Sequence, residues 1–192
     1  MTAKVRDYEF LINPLAGKSI PYGPEQEAIL NASAFEEARQ TIGTWPGYDR
    51  TPLVPLEGFA KNAGVGAVYY KDEASRFGLG SFKALGGAYA VWRVLTRKAG
   101  KQGISPTDKE AFARFAEAET VCCATDGNHG RSVAWGAGTF GCKCVIFIHA
   151  TVSEGRKTAI EAYGAEVRRC AGNYDDSVRE AQQTATREGW FV

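Results

Sequence analysis

Two short segments of this 192-residue chain hold residue types that could do covalent and proton-transfer chemistry. In the first, the turn Gly78-Leu79-Gly80 runs into Ser81-Phe82-Lys83 at the start of a helix expected over about 82–98. A lysine there sits beside the positive end of the helix dipole. A neutral lysine amine can form a Schiff base with an aldehyde. The alternative is an ordinary solvated lysine, which the tripeptide alone favours. The second segment is Thr125-Asp126-Gly127-Asn128-His129-Gly130, between an expected strand (120–124) and an expected helix (131–140). Open α/β sheets bind ligands at that edge. Gly127 and Gly130 permit close backbone approach, and amides at a helix start can hold a carboxylate or phosphate. Asn128 can both donate and accept hydrogen bonds. Asp126 stands oddly beside such a turn; it is either a helix cap or a general acid or base. His129 is expected to shape the turn, and His149, after an apolar strand, to be structural.

The elements that must position these residues alternate. One helix is expected over Pro24–Arg39, with Glu25 and Glu27 in its first turn. Thr44-Trp45-Pro46-Gly47-Tyr48 reads as a turn, and an extended stretch begins at Thr51. A short strand is expected over 67–71, and Gly100 is expected to end the helix that starts at Phe82. A further helix follows over 107–118, with Thr107 or Asp108 near its cap. Strands are then expected at 120–124, 143–149 and 166–170, with helices at 131–140, 153–163 and 175–187. Trp190-Phe191-Val192 would begin a fourth strand. This order implies an α/β fold with a parallel sheet covered by helices. A chain that stops on a strand is expected to be incomplete at its C-terminus.

Composition narrows the function classes. With 23 Lys+Arg against 22 Asp+Glu, the net charge of +1 gives no broad one-signed field for nucleic acid or a membrane surface. The apolar run Val145–Ile148 is too short to span a bilayer. The first ten residues carry Lys4, Arg6, Asp7 and Glu9, unlike a secretion signal. The cysteines at 122, 123, 142, 144 and 170 lack metal-clip spacing, so reduced thiols, no metal site and a cytoplasmic location are expected. Gly64-x-Gly66 and Gly136-x-Gly138 are too incomplete for a dinucleotide fingerprint.

Taken together, Gly80-Ser81-Phe82-Lys83-Ala84-Leu85-Gly86-Gly87-Ala88 and the later Thr125-x-Gly127-Asn128-His129-Gly130 resemble the fold type II pyridoxal-phosphate enzymes. More narrowly, Asp72-Glu73-x-x-Arg76-Phe77-Gly78-Leu79-Gly80, Ala124 to Arg131 and Asn173-Tyr174-Asp175-Asp176 look like the diaminopropionate ammonia-lyase family. The likeness runs from about Trp45 to Val192. It implies that Lys83 holds the pyridoxal 5'-phosphate cofactor as a Schiff base and that Asn128 hydrogen-bonds its phenolic oxygen. Phe82, Thr125 and Gly127 would be its neighbours. Asp126 would be a catalytic base near the substrate Cα. The resemblance further implies α,β-elimination of ammonia from a small amino acid, 2,3-diaminopropionate, and a homodimer.

Members of that family are longer. Their phosphate-binding glycine loop, the residue facing the pyridine nitrogen and a partner acid for Asp126 would all lie beyond Val192. The chain then reads as an N-terminal piece. Residues 1–90 would belong to the large cofactor domain and residues 91–192 to a smaller α/β domain. Two other readings stand beside this one: a serine or threonine dehydratase-like lyase, and a non-catalytic remnant that interacts through its sheet edge.

Overall fold

The structure is a computed structural model describing residues 13–14 and 21–192. The expected absence of a secretion signal concerns residues outside that range. The chain divides into two compact units, Met1–Glu37 and Ala38–Val192.

In the first unit, α1 (Pro24–Ile29) starts at a proline, whose missing N–H costs nothing in a first turn. Leu30 is extended, and Asn31 then caps a second helix by accepting from the Ala34 N–H at 2.8 Å. The single helix expected over 24–39 is therefore two, α1 and α2 (Ala32–Gly43). Apolar periodicity continued across the break, while the cap residue signalled it.

The second unit carries the sheet. Strands β3 (Thr120–Ala124), β4 (Lys143–Ile148) and β5 (Glu166–Arg169) pair in parallel, in that order. The crossovers are α6 (Asn128–Phe140) and α7 (Glu154–Glu161); α8 (Tyr174–Glu188) follows β5. The run Cys144-Val145-Ile146-Phe147-Ile148 is apolar throughout because both its faces are buried. Ile146 and Ile148 pack with Val91, Leu95, Phe112 and Ile160. Val145 and Phe147 pack with Cys122, Cys170, Ala181 and Ala185 under α8. Phe191 makes one parallel bridge to Val121, so the expected fourth strand begins on the far side of β3.

The α/β fold class holds, with additions. A two-stranded antiparallel pair, β1 (Leu53–Pro55) and β2 (Tyr69–Lys71), precedes the parallel sheet and encloses α3 (Glu57–Ala63), which was not expected. The long helix α4 (Lys83–Lys101) runs through Gly100, and Gly103 takes the left-handed conformation instead. Helix α5 (Lys109–Ala118) is capped by Asp108, which accepts from the Ala111 N–H at 3.1 Å. Among the described residues no helix is long and apolar enough to cross a membrane.

Candidate active site

Lys83 is the first residue of α4. It is reached through a turn in which Phe77, Gly78 and Gly80 all have positive φ, at +48°, +71° and +69°. Ser81 Oγ accepts from the Lys83 backbone N–H at 3.2 Å, supporting the helix start. Phe82 is 61% exposed.

Helix α6 begins at Asn128, earlier than the expected Arg131, because Gly127 is its N-cap. No side chain caps it, so its first-turn amides keep their capacity for a ligand. This settles one alternative left open by the sequence: Asp126 is not the cap. Thr125 is buried beneath the turn. The Gly127 N–H reaches Thr125 Oγ1 at 3.4 Å. Gly130 has no room for a side chain, since a Cβ there would lie 2.5 Å from Thr125 Cγ2.

Helices α4 and α6 meet through their smallest residues. A Cβ on Gly87 would stand 1.6 Å from Ser132 Oγ, and one on Gly136 would stand 2.7 Å from Ala88 Cα. Lys83 lies four residues before Gly87, and Asn128 four residues before Ser132. Residues i and i+4 share a helix face, so Lys83 stands on the face of α4 that meets α6, and Asn128 on the face of α6 that meets α4. Partial desolvation, and then the nearby Lys83 ammonium, hold the His129 imidazole below its ordinary pKa. Helices α4 and α6 are neighbours through these small residues.

Asp126, Gly127 and Asn128 line an open cleft of about 510 Å³, together with Arg131, Ser153 and Arg156. Lys83 and Phe82 lie outside that lining. Arg156 Nη1 stands 3.5 Å from Asp126 Oδ2. Arg131 donates to Asn128 Oδ1 at 3.5 Å and to the Tyr163 hydroxyl at 3.4 Å. The far wall is held by Arg169 at the end of β5, whose Nη1 donates to the carbonyls of His149, Ala150 and Val152. Its Nη2 reaches Glu154. His149 follows β4, with Nδ1 3.0 Å from Thr151 Oγ1.

The sequence reading missed Ser153, Arg156 and Arg169. Ser153 had a local signal, since it caps α7 by accepting from the Arg156 N–H. The two arginines had none, because their partners lie far away along the chain.

A primary amine, an uncapped helix start and a cleft-lining amide suit a ligand that bears an aldehyde, a hydroxyl and negative charge. The chain belongs to the family described as pyridoxal-phosphate dependent enzyme, which matches residues 44–192. Diaminopropionate ammonia-lyase of Escherichia coli (strain K12) is 37% identical over 171 residues, covering 89% of this chain. The crystal structure of the Escherichia coli enzyme in apo form superposes with a TM-score of 0.74 at 40% identity, covering 83% of this chain and 43% of that one. The same enzyme in complex with an aminoacrylate-PLP azomethine reaction intermediate gives a TM-score of 0.72 at 40% identity, covering 84% and 40%. The chain spans 43% of the length of the curated relative. The residues present fit the family's cofactor: a primary amine stands at the start of α4, and a carboxamide with uncapped first-turn amides at the start of α6.

Proposed function

We propose that the whole protein is a pyridoxal-phosphate dependent ammonia-lyase that converts 2,3-diaminopropionate and water to pyruvate and two ammonia. The observation that carries this reading is Asp126. It is a carboxylate that does not cap its helix, and it shares a cleft with Asn128.

Each residue has a task that follows from its place. Lys83 would hold the cofactor through Nζ, and Asn128 would donate its side-chain amide to the phenolic oxygen. Gly127 would let the backbone approach, and Phe82 and Thr125 would be neighbours of the bound cofactor. The cofactor, when bound, supplies an electron sink for the charge left on Cα. Asp126 or the Lys83 amine takes the Cα proton. Asp126 also offers a counter-charge to the second ammonium of a diamino acid. The β-amino group then leaves as ammonia, and hydrolysis releases pyruvate with the second ammonia.

Resemblance supports a homodimer, and the five free cysteines support a reducing, cytoplasmic setting. Within the chain, we assign residues 1–90 to the large cofactor domain and 91–192 to the smaller one, with α4 passing from one to the other.

The test is pyruvate release by the whole protein from diaminopropionate, serine and threonine, with Lys83→Ala as control. Faster turnover of serine or threonine would make it a dehydratase. No turnover, with no borohydride-trapped adduct on Lys83, would make it a non-catalytic remnant.

A further inference from the structure

The turn that delivers Lys83 is gripped from behind by one buried arginine. Arg76 is only 6% exposed. Its Nε donates to Glu73 Oε2 at 2.8 Å, and its Nη2 to Glu73 Oε1 at 3.0 Å. Nη2 also reaches Thr51 Oγ1 at 2.9 Å, and Nη1 reaches the Asp49 carbonyl at 2.6 Å. A two-pronged grip on one carboxylate fixes orientation as well as distance. The Thr51 hydroxyl in turn donates to Glu73 and accepts from Lys71 Nζ. The Tyr48 ring centre lies 5.5 Å from the guanidinium carbon. This knot joins residues 48–51, 71–73 and 76.

The next residue is strained. Phe77, at φ +48°, is the non-glycine residue with positive φ among the described residues. Such a conformation persists only where its surroundings over-determine it. On one side the Phe77 ring lies 4.7 Å from the Trp135 ring and 6.1 Å from the Trp45 ring. On the other side stands the Arg76 knot. Gly78 and Gly80 also take positive φ, with Leu79 right-handed between them, and Lys83 follows three residues after Gly80.

We infer that Arg76 is a positioning residue for Lys83. By gripping Glu73 and Thr51 it locks the strained turn at 76–80 and so sets where α4 begins and where its first side chain points. This rests on the reading of Lys83 as the cofactor-holding lysine. A purely structural arginine would alter stability alone. A positioning one changes the reactivity of a single lysine.

The experiment uses the whole protein, wild type and Arg76→Gln, Arg76→Lys and Glu73→Gln. Each is mixed with pyridoxal phosphate, quenched with borohydride over a time course and mapped by mass spectrometry. Labelling at Lys83 is compared with that at the exposed Lys109 and Lys143. The Lys83 ratio is expected to fall about tenfold or more in Arg76→Gln, with Arg76→Lys in between. Amide hydrogen exchange is expected to rise over residues 77–83 and stay unchanged in β3–β5. Folded variants with a wild-type ratio and wild-type exchange over 77–83 overturn the inference while leaving the role of Lys83 intact. A wild-type protein that labels Lys83 no faster than Lys143 overturns the reading of Lys83 itself, and the inference with it. Glu73→Gln, close in shape to the native residue, keeps the test decisive if Arg76→Gln does not fold.

Discussion

The hydroxyl of Ser132 on α6 fills the space that a side chain on Gly87 of α4 would need, with only 1.6 Å between Oγ and the position of a Cβ. The two helices are thus as close as their backbones allow, along the faces that also carry Lys83 and Asn128. Gly87→Ala is expected to destabilise the fold by about 1–3 kcal/mol through overpacking. Ser132 Oγ is buried without a hydrogen-bond partner, so Ser132→Ala is expected to change stability by less than about 1 kcal/mol. The double variant should be less destabilised than the sum, since the atom the new methyl meets is gone. Urea unfolding of the four proteins measures this, and strict additivity would refute the contact.

Acid should loosen the turn ahead of Lys83. The Arg76 hydrogen bonds, opposed by desolvation and aided by Thr51, lower the Glu73 carboxyl from an ordinary 4.5 to about 2. A carboxyl with a depressed folded-state pKa contributes stability that is fully present above its unfolded value and lost as pH falls toward the folded one. Solvent screening keeps the contribution below the roughly 3 kcal/mol that the full shift would give. The stability gap between wild type and Glu73→Gln should therefore hold above pH 4.5, shrink below it and close near pH 2. A gap independent of pH in urea titrations would count against the ion pair.

The thiols should be inert in the folded chain. Burial pushes Cys123 up to about 12, Cys142 to about 11 and Cys170 to about 12, and it raises Cys122 and Cys144 as well. Thiolates, not thiols, attack disulfide reagents. At pH 8 an aromatic disulfide reagent should titrate the five cysteines rapidly only after denaturant is added. Two or more fast thiols in the native protein would contradict this burial.

At the cleft, Asp126→Asn in the whole protein should lower kcat by about 10²–10⁴ while the cofactor absorbance stays unchanged. Arg156→Gln should give a smaller loss, since its Nη1 stands 3.5 Å from the carboxylate and both groups are exposed. Steady-state kinetics with diaminopropionate decides. An Asp126→Asn protein with wild-type kcat would remove Asp126 from the chemistry.

What was legible in the sequence had local causes. The apolar run of β4 and the left-handed glycines at 164 and 189 placed the alternating elements. Lys83, Asp126 and Asn128 stood out because each lies in a short segment whose neighbours already imply a turn and a helix start. The breaks were missed where one residue overrides a pattern. Asn31 divides a periodic helix in two, and Gly127 starts α6 before the apolar spacing does. Helix α3 was missed because seven residues hold too little apolar periodicity. Arg156 and Arg169 were illegible for another reason. They act on groups 30 and 15–20 residues away, and only the completed sheet brings those partners within reach.

The Arg169 clamp also bears on the order of folding. The wall it braces precedes α7 in the chain, yet the brace is supplied from β5, after α7. Closing it requires a parallel crossover, which is entropically slow to form. The loop at 149–153 can therefore gain its native protection only once β5 has docked on β4, and it must lose that protection whenever β5 detaches. Ser153 and Arg156, and with them one side of the cleft, would then be set only as β5 docks.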